Sequence, residues 1–416
     1  MTVSFSIKNI SLVLLFLCLC ACGAKNQIAK EGTYALVETV DQRFRHAAEQ
    51  YKLLKEELPD GRFPKTYNVK TNKVETSGPD WWVSGFYPGT LLYLFEETRD
   101  SVLWNEANRA MKILAKQQNN QKTADLGFIL YSSFGNALKI APDIHDQKVL
   151  LTAAKTLMKR YDPKMKAIRS WDTRHNDEDF VIVIDHLMNL PLLFWATAAT
   201  GDSTYYKAAV NHAETVSKHF FRPDYSVYQV VTLDAKKGNV KEKRNAQAYN
   251  DTTTWSRGEA WALYGFTALY RETKSEKYLS KARHIADFIL DHPNLPKDKV
   301  PYWDFNAPDI PHTYRDASAG AIIASALLEL CGFGTEAEGK KYFRAAEQLL
   351  ETLASPEYTA LLAANGGFIL KHGAGYIPVL AEVDVPLPYA DYYYIEALKR
   401  FKMISGQGKS RNASLL

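Results

Sequence analysis

Cysteine is scarce in this chain. Of four cysteines among 416 residues, three stand at positions 18, 20 and 22, and only Cys331 lies in the body of the protein. A single body cysteine excludes an internal disulfide even in an oxidising compartment, and its place in the apolar run SALLELCGF reads as a small core residue. A charge block of one sign is also missing. Acidic and basic residues are interspersed and the net charge is +4, which points away from nucleic acid as a partner. No glycine-rich phosphate loop follows a strand. No His, Cys and carboxylate cluster has metal-ligand spacing, since the nearest, Asp172–His175–Asp177, lies in a polar loop and reads as solvated. Neither a cofactor nor a metal is therefore expected.

Aromatic residues are plentiful instead, at 12% with 24 Tyr and 8 Trp. Buried rings explain part of this, and Trp and Tyr also provide faces on which sugar rings stack. At the N-terminus, MTVSFSIKNISLVLLFLCLCAC (1–22) holds one Lys, an apolar stretch and small residues, the pattern of a secretory signal too short to span a membrane. Its ending, Leu19-Cys20-Ala21-Cys22, resembles a bacterial lipobox, in which Cys22 would carry lipid and place the protein in the periplasm or at the outer membrane. An ordinary cleaved signal is the other reading. Residues 23–35 are polar and small, a flexible tether, and 406–416 form a polar tail.

Between about 36 and 405 the spacing of apolar residues predicts helix after helix in one domain. An apolar helix ending in a polar turn, followed by an amphipathic helix, recurs in YLFEETRDSVLWNEA, FWATAATGDSTYYKAA, LYRETKSEKYLSKA and LELCGFGTEAEGKKYFRAA. These read as turns between inner and outer helices of a repeated hairpin, which must stack or close to bury its apolar faces. An open solenoid and a closed ring of about six hairpins both fit. Length, and chemistry at the start of several inner helices, favour an all-α (α/α)6 barrel. Long insertions at about 162–180 and 222–254 interrupt the repeat, and SVYQVVTLDAKKGNVKEK predicts a hairpin turning at Lys-Gly-Asn.

Polar groups stand among aromatics where several helices begin. Asp185 lies in VIVIDHLMNLPLLFWA, where burial of its carboxylate raises the pKa and keeps a proton at hand for general acid work. Asp125 precedes an apolar helix in TADLGFILY, with N-cap duty as its plainer role. Arg257 stands between Trp255 and Trp261 in TTTWSRGEAWALYGF, where a guanidinium walled by indoles suits a two-pronged grip on a carboxylate. In DWWVSGFYPG, Trp81 or Trp82 would floor a sugar pocket. In YWDFNAPDIPHTYRDASAG, Asp316 caps the next helix.

Taken in order with KHGAGYIPVLAEVDVPLPYADYYYIEALKR, these segments resemble the unsaturated glucuronyl hydrolases, glycoside hydrolase family 88, and more distantly the unsaturated rhamnogalacturonyl hydrolases of family 105. The resemblance spans nearly the whole mature chain and implies an (α/α)6 barrel. It implies an enzyme that removes the 4,5-unsaturated uronate from the non-reducing end of lyase-generated oligosaccharides, glycosaminoglycan-derived or from another uronate polymer. A single Asp protonates C4, water adds at C5, and the hemiketal opens. Asp185 matches that acid/base and Asp125 the Asp that positions the ring, while Arg257 and Trp261, with Trp255 and Trp82, match the uronate pocket. Where the family pattern places histidines, this chain has Ala124, Gln229 and Ala246. Gln229 keeps hydrogen-bonding capacity and the alanines do not, which implies a wider and less cationic pocket. A family 105-type activity, and a catalytically impaired glycan-binding lipoprotein of the same fold, are the alternatives.

Overall fold

A computed structural model describes residue 36, residues 39–172 and residues 178–406. The signal with Cys22, the tether, His175 and Asp177 of the 162–180 insertion, and nearly all of the C-terminal tail lie outside the described residues.

Helix α1 (39–56) leads into the hairpin β1 (Phe63–Asn68) and β2 (Lys73–Ser77), then α2 (Phe86–Thr98) and α3 (Ser101–Leu114). A π-helix, Gly127–Gly135, runs into α4 (Asn136–Ile140), followed by α5 (Ile144–Met158) and the short pair β3 (Tyr161–Asp162) and β4 (Ala167–Ile168). Strand β5 (Asp179–Val183) passes through a 3-10 segment, Ile184–Asn189, into α6 (Leu190–Thr200), with α7 (Ser203–His219) behind it. Strands β6 (Val230–Asp234) and β7 (Val240–Arg244) precede α8 (Ser256–Thr273) and α9 (Glu276–Asp291). The chain closes with α10 (Ala317–Leu330), α11 (Glu336–Leu353), β8 (Gly373–Tyr376), β9 (Ala381–Val385) and α12 (Pro388–Ile404).

Two kinds of helix alternate, and the sequence dictates which is which. Helix α10, ASAGAIIASALLEL, is apolar all round and buries every residue except Glu329, as an inner helix must. Its partner α11 buries Tyr342, Ala345, Ala346, Leu349, Leu350 and Leu353, a stripe at three- and four-residue spacing, and leaves its charges to water. The polar turns between the two kinds are built from caps. Asp100 accepts from Val102 N, Asp202 from Thr204 N, and Thr335 forms a reciprocal capping box with Glu338. Gly201, at φ 73°, takes the left-handed turn after α6.

Six inner segments result: α2, the π-helix with α4, α6, α8, α10 and α12. Helix α12 packs against both α10 and α2, so the repeat closes on itself as an (α/α)6 barrel. Because each inner helix is followed by an outer one that returns, all inner helices run in the same sense. Their N-terminal ends, with the positive ends of their dipoles, gather at one mouth.

The insertions decorate that mouth. The hairpin expected near residue 238 forms as β6 and β7, with Gly238 at φ 77° in its turn, and β5 joins it in the order β5-β6-β7. Strand β5 takes the first residues of the apolar run that leads to Asp185. Five consecutive residues, from Asp179↔Asp234 to Val183↔Val230, pair with β6, and the β-branched valines and isoleucine suit that edge. Helix TADLGFILY is also wider than expected. Asn189 Oδ1 captures Phe128 N at 3.0 Å at its start, and Ser133 Oγ donates back to Ile129 O at 3.1 Å. No helix among the described residues is long and apolar enough to cross a membrane.

Two glycines allow the inner segments to touch. A Cβ on Gly85 would lie 2.3 Å from the carbonyl oxygens of Phe128 and Ile129, and one on Gly127 would lie 2.5 Å from Asn189 Cα. Gly127→Ala is expected to lower stability by about 1–3 kcal/mol, since backbone must move to make room. An unchanged denaturation midpoint in a urea titration would show that the π-helix and the 3-10 segment are not held in contact.

Candidate active site at the barrel mouth

Asp185 sits in the 3-10 segment between β5 and α6, half-buried, rather than within a continuous apolar helix. Its Oδ1 is shut off from solvent and has no hydrogen-bond partner in the protein. Burial pushes its carboxyl up to about 7; Arg257 opposes that rise and the nearby Asp125 adds to it. Such a group holds its proton close to neutrality and gives it up readily, the property wanted of a general acid that must also act as a base.

Asp125 approaches from the next inner segment. Asn189, four residues after Asp185, donates from Nδ2 to Asp125 Oδ1 at 3.3 Å while its Oδ1 holds Phe128 N. One amide thus fixes the two carboxylate-bearing segments relative to each other. Asp125 makes no side-chain cap to its own helix, which removes the plainer role, and burial raises its pKa, with Asn189 and Thr123 working against the rise. Asn189 was not singled out from sequence. Its spacing from Asp185 in IDHLMNL is the only signal that could have found it.

Arg257 lies in the first turn of α8, 2% exposed. Its Nη1 donates to Asp316 Oδ2 at 3.0 Å and to Ala374 O, and its Nη2 donates to Gly375 O at 2.6 Å. Both protons of Nη1 are therefore committed inside the protein, and the end-on fork expected to grip a carboxylate is occupied. The fixed positive charge remains beside Asp185. Trp255 caps α8 with its ring 4.6 Å from the guanidinium carbon, so its face is taken by Arg257. Trp261, 1% exposed, packs against Phe128 and Tyr393, each at 5.4 Å. Both indoles are buried, so they support the mouth from the core. Trp82 differs. It stays partly open, tilted against Tyr389 with ring centroids 4.9 Å apart and edge-on to Phe128 at 5.5 Å, with Trp81 47% exposed beside it.

Gln229 is buried and forms a two-way clasp with Gln247. Its Nε2 donates to Gln247 Oε1 at 2.7 Å, and its Oε1 accepts from Gln247 N at 2.8 Å. Gln247 Nε2 then donates to Gly375 O at 3.0 Å, the same carbonyl that receives Arg257. The carbonyl of Gln229 accepts from Ile184 N at 2.9 Å, one residue before Asp185. Gln247 escaped the sequence reading because nothing local distinguishes it from other loop amides. Ala124 is buried and Ala246 packs on Val181, Val183 and Val230, so apolar contacts, not open space, surround these methyl groups.

Among the described residues, one group has metal-ligand proximity: Asp143, His145 and Asp146. It lies at the exposed start of outer helix α5, where Asp143 serves as the N-cap.

Comparison with known proteins places the chain by sequence and fold. The sequence profile of Glycosyl Hydrolase Family 88 matches residues 58–402. An unsaturated glucuronyl hydrolase from Formosa agariphila is 45% identical over 350 residues, covering 84% of this chain and 87% of that protein. One from Bacillus sp. strain GL1 is 32% identical over 347 residues, covering 82% and 91%. The crystal structure of an unsaturated glucuronyl hydrolase specific for heparin superposes with a TM-score of 0.85 at 41% identity, over 88% of this chain and 98% of that one. With sequence and fold matched over most of its length, the chain belongs to glycosyl hydrolase family 88.

Proposed function

We propose that this protein hydrates the C4=C5 double bond of a 4,5-unsaturated uronate at the non-reducing end of a lyase-generated oligosaccharide, and so releases that sugar. One observation carries the reading: a carboxyl group, Asp185, stands at the barrel mouth with a pKa of about 7 and an oxygen that no protein group satisfies. The names of the relatives, unsaturated glucuronyl hydrolases, support the substrate class.

In the proposed reaction the Asp185 proton goes to C4 and the π electrons form the new C4–H bond. Water attacks C5 and returns a proton to the Asp185 carboxylate. The resulting C5 hemiketal opens and the aglycone leaves. Asp125 orients the ring, and its negative charge, together with burial, holds the Asp185 proton in place. Arg257 supplies a fixed positive charge that favours a uronate over a neutral sugar, helped by the N-terminal ends of the inner helices. Trp82 offers a stacking face, and Gln229 acts through Gln247 as a positioning residue for the loop. The replacement of imidazoles by Ala124, Gln229 and Ala246 leaves the mouth with fewer titratable cations, consistent with a uronide whose neighbouring sugar differs from that of the common glucuronyl disaccharides.

Asp185→Asn is expected to keep the fold while lowering kcat by several orders of magnitude, followed as loss of the double-bond absorbance. A variant retaining a tenth of the turnover would remove Asp185 from the acid/base role.

The pH dependence follows from the same group. Activity needs the protonated acid, so kcat should fall as pH rises through about 7. Asp125→Asn removes a neighbouring negative charge, which should move that alkaline limb to lower pH. A limb that moves upward, or stays fixed, would show that the two carboxyls do not interact.

The lipid anchor at Cys22, and with it a periplasmic or outer-membrane location, belongs to the same proposal and is supported by residues 1–22 alone. Mass spectrometry of protein from the membrane fraction should find an acylated Cys22 at the N-terminus, and Cys22→Ser should release the protein to the soluble fraction. An unmodified N-terminus elsewhere would favour an ordinary cleaved signal.

A further inference from the structure

Tyr389 enters α12 one residue after Pro388 and is 1% exposed. Its ring lies 4.9 Å from Trp82, which opens to the mouth, and 5.3 Å from the guanidinium carbon of Arg257. Its hydroxyl is buried and has no partner in the protein. Leaving a buried hydroxyl unmatched costs on the order of 1–3 kcal/mol, and native proteins do so rarely. Asp185, whose charge also acts on the phenol, has its Oδ1 in the same condition. Two such atoms beside one guanidinium describe a site completed by something that binds.

The nature of that ligand follows from Arg257, whose Nη1 protons and one Nη2 proton are committed inside the protein. Its Nη1 is saturated by Asp316 and the Ala374 carbonyl, while its charge persists. With both Nη1 protons committed, an anion drawn to that charge cannot be held end-on by the two Nη atoms and gains from a second directional donor. The phenol of Tyr389 is an uncommitted donor there, and the charges it senses begin with Arg257. Burial, only partly offset by Arg257, holds the phenol well above its ordinary range, so it remains an O–H donor at any working pH. The other carboxylates near it are already engaged, Asp316 by Arg257 and Glu382 by Lys65 at 3.2 Å.

We propose that Tyr389 is the donor that recognises the substrate's uronate carboxylate, with Arg257 acting behind it as a fixed charge. This rests on the hydrolase reading above, and its test is arranged to fail separately. In an Asp185→Asn background that prevents turnover, binding of a lyase-generated unsaturated glucuronyl disaccharide and of its methyl ester is measured by calorimetry, with and without Tyr389→Phe. Phenylalanine keeps the ring against Trp82 and Arg257 and removes only the hydroxyl. The acid should bind about ten- to a hundredfold more weakly and the ester within about twofold of its former value, as expected for one hydrogen bond to a charged group. Equal losses for acid and ester, or no loss for either, would overturn the assignment. With Asp185 intact, Tyr389→Phe should raise KM and leave kcat nearly unchanged. A fall in kcat at constant KM would place Tyr389 on the reacting water instead and also overturn it. If the unaltered protein fails to consume the double bond, the hydrolase reading falls, and the comparison of acid with ester still decides Tyr389.

Discussion

The buried guanidinium of Arg257 is the constraint on which the site depends. It joins α8 to the N-cap of α10 through Asp316, and to the β8–β9 hairpin through the carbonyls of Ala374 and Gly375. Asp316 in turn accepts from Ser318 N at 2.9 Å and from Ala374 N at 3.3 Å, so the pair is hydrogen-bonded on both sides. A buried ion pair of this kind need not stabilise the fold relative to a well-packed apolar alternative. Removing one partner strands the other and typically costs about 3–5 kcal/mol. The Gly375 carbonyl extends the knot through Gln247 and Gln229 to the backbone at Ile184. Four elements distant in sequence thus meet the residue that precedes Asp185.

That knot matters because the reacting group is tuned by its surroundings. Asp185 is drawn in two directions, upward by burial and Asp125 and downward by Arg257. The balance near 7 exists only while all three are held at fixed separations. Asn189 fixes Asp125 from one side, and the clasp from Gln229 through Gly375 fixes the other. The mouth as a whole is biased toward anions, because six inner segments end there with the same polarity. The π-helix that carries Asp125 has a wide turn at this point, with Asn189 holding the backbone that an ordinary helix would hold itself.

The amides and alanines at positions 229, 247, 124 and 246 give the mouth a neutral lining without opening it. Gln229 and Gln247 satisfy each other, which gives a rigid, uncharged wall. Ala246 rests on three valines of the β5-β6-β7 sheet, a small apolar floor that an imidazole would disturb. Asp185 and Asp125 are the carboxyls whose pKa the mouth raises, with Arg257 as a charge that does not change with pH.

Much of this was legible in the chain. The alternation of all-apolar and striped helices, and the capped turns at Asp100, Asp202 and Thr335, are local properties that each segment carries alone. The placement of Asp185 among apolar residues was visible for the same reason, since burial of a run follows from its composition. Strand β5 was not legible because a short apolar run fits a buried strand or helix equally, and only pairing with β6 decides. The roles of Arg257, Trp255 and Trp261 were decided by tertiary structure. Adjacency in sequence put an arginine among indoles, but which face each side chain presents depends on what packs against it from α10, α12 and the β8–β9 hairpin. Tyr389, Gln247 and Asn189 could not be found from the chain, because a hydroxyl or amide acquires a role only from partners such as Arg257, Gly375 and Asp125 that lie far away in sequence. The sequence determined the elements and the buried acid; the closing of the ring determined what that acid faces.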